Sequence, residues 1–272
     1  MPMFPLQTDS FPSDAAALAR ELEKGLSRLV HPPSGVRVTV EDRNYPELSA
    51  IHVSLDGASV GDRLPARPAP HRGQVEPALS VENFEITGRP LRVRDAAINL
   101  SCRAREVEID RARDAEGKVL LLLKNAAEGN IEISIPTTDL EMVVRAAAAA
   151  AAKEQGGIIE DVRIQLHARS ARALDAVLRV RARKLFLNAA IRIHASLEID
   201  DQLNARLSGL DCAGEGTLGT LVCGFLEPHL QQLNNRVFSL LVLPLGEVKL
   251  RDVQITVGTD LGVRAKLGGS HS

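Results

Sequence analysis

From Arg179 to Ile199 apolar and polar residues alternate. Val180, Leu185, Leu187, Ile191, Ile193, Leu197 and Ile199 fall on one side of the rhythm, and Arg181, Asn188, Arg192, His194, Ser196 and Glu198 on the other. Successive side chains of a strand point to opposite faces, so this pattern predicts antiparallel sheet with one apolar and one wetted face. The same rhythm predicts strands at Val36–Val40, Ile51–Leu55, Leu79–Thr87, Leu91–Cys102, Val107–Asp110, Val119–Leu123 and Ile131–Ile135. Further strands are predicted at Ile158–Arg169, Leu178–Leu187, Asn188–Ile199, Leu203–Leu210, Glu247–Val257 and Gly262–Leu267.

Three segments carry the helical period instead. The first is expected from a Ser13 cap to about Val30, with Ala15, Leu18, Ala19, Leu22, Leu26 and Leu29 on one face and His31-Pro32-Pro33-Ser34-Gly35 as its stop. The second opens on Thr138 and Glu141 as a capping box, runs through the alanine tract Ala146–Ala152, and ends at Gly156-Gly157. Alanine is the strongest helix former and makes a thin helix that a sheet or ligand can approach closely. The third is expected from Thr217 to Leu243, with Leu218, Leu221, Val222, Phe225, Leu226, Leu230, Leu233, Val237, Leu240 and Leu241 as its apolar stripe. Pro228 predicts a kink in it, and Pro244 and Gly246 its end.

Strands come in consecutive runs rather than alternating with helices, which is an α+β pattern and not a doubly wound sheet. Residues 1–12 are expected to be frayed, residues 13–268 to form a single domain, and residues 269–272 to be a flexible tail. Asp62–Pro77, with four prolines, reads as a surface loop.

Composition narrows the chemistry. Hydrophobic residues make up 44%, enough for a real core, and the net charge of −2 implies no global polyanion as partner. There is no Trp, one Tyr and six Phe, which argues against aromatic platforms for sugars or single-stranded nucleic acid. Any apolar space is therefore lined by Leu, Ile, Val and Ala. Cys102, Cys212 and Cys223 form no CxxC and read as reduced, buried thiols. No basic segment followed by an apolar run opens the chain, and Val143–Ala152 and Val237–Leu245 are too short to span a membrane. The expectation is a cytoplasmic protein, or a periplasmic one if a leader has been removed.

Candidate chemistry is sparse. Gly214-Glu215-Gly216-Thr217-Leu218-Gly219 fits GxGxxG between a strand and a helix, where a dinucleotide fingerprint belongs. The strand before it alternates with polar residues, whereas a Rossmann strand is buried on both faces, so a flexible turn with Thr217 as helix cap is the better reading. The histidines His31, His52, His71, His167, His194, His229 and His271 are scattered, with no metal-ligand spacing. The doublets Glu160-Asp161 and Asp200-Asp201 read as solubilising turns. With no GxSxG and no Cys-His set, no enzyme is expected, and no cofactor or metal. Arg163–Arg192 carries eight basic residues, among them Arg179, Arg181, Arg183, Lys184 and Arg192, against the single acid Asp175. The plain reading is a solvated sheet face; the sharper one is a face for an anionic membrane surface, with nucleic acid a weaker candidate.

Three stretches together carry a resemblance. They are Val36–Val60, around Asn44-Tyr45-Pro46-Glu47-Leu48 and Ile51-His52-Val53-Ser54-Leu55-Asp56-Gly57; Gly129–Val144, through Pro136-Thr137-Thr138-Asp139-Leu140; and Leu243-Pro244-Leu245-Gly246-Glu247-Val248-Lys249-Leu250-Arg251-Asp252-Val253. The pattern resembles the LmeA-like phospholipid-binding family of bacteria, whose fold is similar to the tubular lipid-binding (TULIP) superfamily. The basic run and the alanine tract are departures from it. The resemblance implies a long curved antiparallel sheet wrapping amphipathic helices, with acyl chains held between them. A non-enzymatic lipid carrier is then the expected function. The expected wall is Leu140, Val143, Val144, Phe225, Leu226, Leu233 and Phe238 from the helices and Leu187, Ile191, Ile193, Ile255 and Val257 from the sheet. The alternative is an interaction or scaffold protein with a solid core, docking a partner by its basic face or a strand edge.

Overall fold

Fifteen strands and three helices follow in the order β1 (Met3–Pro5), α1 (Ala15–Leu26), β2 (Val30–His31), β3 (Arg37–Asn44), β4 (Glu47–Ser54), β5 (Ser59–Val60), β6 (Arg72–Val93), β7 (Ala96–Arg113), β8 (Val119–Pro136), α2 (Thr137–Glu154), β9 (Ile158–Ser170), β10 (Ala173–Lys184), β11 (Leu187–Ile199), β12 (Asn204–Glu215), α3 (Gly216–Leu233), β13 (Arg236–Ser239), β14 (Leu250–Val257) and β15 (Asp260–Leu267) among the described residues. The computed structural model describes residues 3–6, 8–28, 30–32, 35–60, 72–93, 96–154, 157–184, 187–200, 204–239 and 250–268. The expected loop core at 62–71, the expected end of the third helix at 240–243 with Pro244 and Gly246, Gly156, His71, His271 and the tail at 269–272 lie outside the described residues, as do Leu29, Leu185, Asp201 and Leu203. The class is sheet-rich α+β, as the order of elements predicts.

The chain divides into two compact units, one of Met1–Ser134, Leu241–Asp252 and Arg264–Ser272, the other of Ile135–Leu240 and Val253–Val263. One sheet has its strands in the order β14-β15-β8-β7-β6-β4-β3; of these, β14 and β15 have residues in both units. This sheet is mixed rather than purely antiparallel as expected: β4 pairs β6 in parallel, from Glu47 opposite Ser80 to Ser54 opposite Thr87, and β5 pairs β6 in parallel too. Five short predicted strands are in fact three long ones, β6, β7 and β8. Gly88-Arg89-Pro90, which falls between two predicted strands, is absorbed as a register shift inside β6, and another shift separates Glu108 from Ile109 of β7. Charged residues on paired strands meet opposite charges, Arg103 with Glu85 at 2.6 Å and Arg111 with Glu76 at 2.8 Å. Arg103, and to a lesser degree His52, holds the Glu85 carboxyl below its usual range.

The first helix is capped by Asp14, not Ser13. The Ala17 N–H donates to Asp14 Oδ1 at 2.8 Å, and Ser13 Oγ donates to the same carboxylate. The helix ends four residues short of the expected Val30, which instead lies in β2 and pairs with Val60 of β5. Leu18 is fully buried, with Leu48, Ile51, Val81, Val107 and Leu120 among the other large buried residues. Each such side chain contributes roughly 1.5–3 kcal/mol. The arm expected to be frayed is tied down: Met3–Pro5 pairs with Leu120–Leu122, and Leu6 is buried.

In the second unit the sheet order is β13-β12-β11-β10-β9, with each neighbouring pair antiparallel. Glu141 does not form the expected capping box. Its Oε1 accepts from the Ile164 N–H at 2.8 Å, and Arg145 donates to the Glu160 carbonyl. Two side chains of α2 thus occupy backbone groups along β9, the edge strand of this sheet. Ala146, Ala147, Ala149 and Ala150 are exposed, so helix propensity rather than close packing explains the tract. The third helix stops at Leu233, ten residues before the expected end, because Asn235 takes a left-handed conformation with φ 62° and Arg236 starts a strand. Its N-cap is Glu215, without a side-chain cap, rather than Thr217.

Cys212 and Cys223, expected as reduced thiols, are joined in a disulfide between β12 and α3. Folding the helix back over its own strand brings the two Cα atoms to 5.5 Å, a closeness that a separation of 11 residues does not reveal in sequence. Closing a loop of this length contributes about 3 kcal/mol. Paired Cys212→Ser and Cys223→Ser substitution is therefore expected to lower the urea midpoint and reductant to do the same. Alkylation of the denatured, unreduced protein should mark Cys102 alone; three marked cysteines would contradict the bridge. Cys102 is the free thiol, and burial pushes it up to about 11, away from nucleophilic use.

Candidate functional site

The register of the five-stranded sheet sorts its residues into two faces. Val162, Val180 and Ile191 stand opposite one another across β9, β10 and β11, and so do Ile164, Leu178, Ile193 and Cys212 across β9 to β12. Between these apolar rows lies Arg163–Arg179–Arg192, whose side chains belong to the other face. The two-faced sheet that the alternation predicts is therefore present, and the Cys212–Cys223 bridge puts α3 over its apolar side.

That side is incompletely covered. Ile164, Leu178, Ile191 and Ile193 are only half-buried, whereas Val162 and Val180 are buried. The buried residues of α3 are a glycine and a cysteine, Gly219 and Cys223. Its Phe225 is 78% exposed and its Leu221 55%. Leu226 is half-buried, and Leu233 is 38% exposed. On α2, Leu140, Val143 and Val144 are half-buried, and Met142 is exposed.

The expected wall residues all belong to this second unit. Ile191 and Ile193 fall on the apolar face. Ile255 is a buried core residue whose N–H donates to the Ala171 carbonyl at 2.6 Å, and Val257 is half-buried. Phe238 is on β13, not on the third helix as expected. The side chains of Leu187, Phe238 and Lys184 lie outside the described residues. Ile164 and Leu178, which the expected wall does not include, share the apolar row of Ile193. Alternation within β9 and β10 marks them as apolar-face positions, but only the pairing aligns them with Ile193.

The glycine string has a packing role. A Cβ on Gly214 would lie 2.0 Å from the Gly219 carbonyl carbon, and one on Gly219 would lie 2.6 Å from the Ala190 oxygen. Gly216, with φ 71°, makes the reversal between strand and helix. This is a close backbone crossing rather than the flexible turn expected, and β12 runs antiparallel to β11, unlike the parallel strands of a dinucleotide fold.

Four of the eight basic residues of the run have acidic neighbours at ion-pair distance among the described residues. Arg163 pairs with Asp161 at 3.4 Å and Glu141 at 3.7 Å, Arg169 with Asp175 at 3.2 Å, Arg183 with Glu160 at 3.4 Å and Arg192 with Glu215 at 3.7 Å. Arg179 and Arg181 have no acidic partner among the described residues. Among the described residues no group of three or more His, Cys, Asp or Glu is placed to hold a metal ion, and no helix is long and apolar enough to cross a membrane. Compared with known protein families, curated proteins and solved structures, the chain matches none.

Proposed function

We propose that the second unit binds a lipid or another hydrophobic ligand against the apolar face of its sheet and the helices α2 and α3, as a carrier that performs no chemistry on its guest. What supports this reading is the half-wetted apolar surface. Ile164, Leu178, Ile191 and Ile193 stay half-buried while Phe225 and Leu221 remain exposed on the helix that crosses the same sheet. A folded chain gains by covering such surface, and an acyl chain covers it at about 0.8 kcal/mol per methylene. Sixteen carbons give on the order of 12 kcal/mol before ordering costs. The resemblance to LmeA-like proteins, and with it a curved sheet wrapped around helices, is part of the same proposal.

Native mass spectrometry of protein purified from cells is expected to show a co-purifying lipid, and the stripped protein to take up a fluorescent fatty acid. Phe225→Ser should weaken uptake about tenfold, the equivalent of one lost aromatic contact. Its unfolding midpoint should be unchanged, because the ring is already exposed. Absence of both bound lipid and uptake would sink the carrier and leave the solid-core scaffold reading.

A further inference from the structure

On the polar face of the same sheet we infer a phosphate-binding site centred on Arg179, Arg181 and Arg192. Register sets Arg179 directly opposite both Arg163 and Arg192. Like charges directly opposite across a sheet destabilise it, so three arginines in one row carry a cost that an anion would relieve. The row is unevenly satisfied. Arg163 has two carboxylates and Arg192 has Glu215 at 3.7 Å, but Arg179 has none among the described residues, and neither has Arg181 on the same face. The Arg192 Nε is buried and makes no hydrogen bond.

The backbone supplies a place for the anion. Arg181 stands opposite Ala190, at a depression of about 120 Å³ bordered by Arg179, Arg181, Arg192 and Glu215, with Val180, Ala190 and Ile191 also lining it. Three arginines bordering one hollow suit the tetrahedral oxygens of a phosphate, because each guanidinium offers paired N–H donors. Glu215 is the sole acid at the rim and is exposed. Its carboxylate occupies Arg192 in the absence of ligand and competes with any incoming anion. The site goes beyond the carrier reading and does not depend on it, since the arginines and the apolar rows belong to opposite faces of the sheet. A phosphate could reach it as free anion or as a lipid headgroup, and the chemistry recognised is the same.

The test titrates inorganic phosphate into the protein by calorimetry at fixed ionic strength. In parallel, phosphatidylcholine vesicles with and without phosphatidic acid are pelleted with the protein. Binding is expected in at least one arm, and the arm that responds identifies the source. Arg179→Ala and Arg181→Ala should each weaken it about tenfold, as loss of a charge-assisted pair does. Glu215→Gln should tighten it about threefold, by removing the competing carboxylate. Arg169→Ala removes one positive charge from the same sheet outside the hollow and should leave binding unchanged. Fatty-acid uptake, measured on the same variants, should stay at the wild-type level, so failure of this site and failure of the carrier reading are told apart. No binding in either arm, an Arg169→Ala loss equal to that of Arg179→Ala, or no tightening in Glu215→Gln would overturn the site.

Discussion

Alanine at Gly214 should destabilise the protein by about 3 kcal/mol or more, toward or past the upper end of overpacking penalties. The added methyl would overlap the Gly219 carbonyl carbon at 2.0 Å, its oxygen at 2.2 Å and the Thr220 nitrogen at 2.3 Å. All three are backbone atoms, so no rotamer change relieves the clash, and the first turn of α3 must lift away from β12. Two neighbours in the same segment separate steric from conformational effects. Gly216 has nothing within 4 Å of an added Cβ but sits at φ 71°, so Gly216→Ala should cost only about 1–2 kcal/mol. Gly224 also has open space around it, without a positive φ, and lies inside α3; Gly224→Ala should stabilise by about 1 kcal/mol. Urea midpoints of the three variants check the ranking, and a Gly214→Ala protein as stable as Gly216→Ala would contradict the crossing.

Leu120→Ala should cost about 2–5 kcal/mol. The side chain is fully buried on β8, clustered with Ala112 and Leu122. Leu120 also lies in the segment that pairs with the N-terminal strand, with Pro5 opposite it. The methyls lost are replaced by a void, because strands held on both sides do not collapse onto it. The same truncation at Leu221, 55% exposed on α3, should change stability by no more than about 0.5 kcal/mol while lowering fatty-acid uptake. Unfolding and uptake assays on both variants separate residues that hold the fold from residues available to a ligand. Equal destabilisation at the two positions would show that the α3 surface is structural.

Much of the local structure is legible in the chain itself. Alternation locates β9 and β11 to within one residue, whereas β10 starts at Ala173, five residues before the expected Leu178; the helical period locates α1, α2 and the first two thirds of the third predicted helix. Boundaries fail where one residue outweighs the pattern. Asn235 ends a helix whose apolar stripe continues in sequence, and Gly88-Arg89-Pro90 passes through a strand although it falls between two predicted ones. Glu141 reads as half of a capping box because the motif is local. Its actual partner, the Ile164 N–H, is 23 residues away.

The sequence by itself determined the apolar-face and polar-face residues along Arg179–Ile199, because side-chain direction is a property of one strand and its period. Its composition equally makes the apolar surface mostly aliphatic, since the chain has no Trp, one Tyr and six Phe. Only the tertiary structure decided which strands are neighbours. That decision aligns Ile164, Leu178 and Ile193 into one row and Arg163, Arg179 and Arg192 into the next, makes β4 and β6 parallel, and brings Cys212 to Cys223. Pairing depends on the balance of burial and hydrogen bonding over the whole sheet, and no window of sequence contains both partners of such a contact.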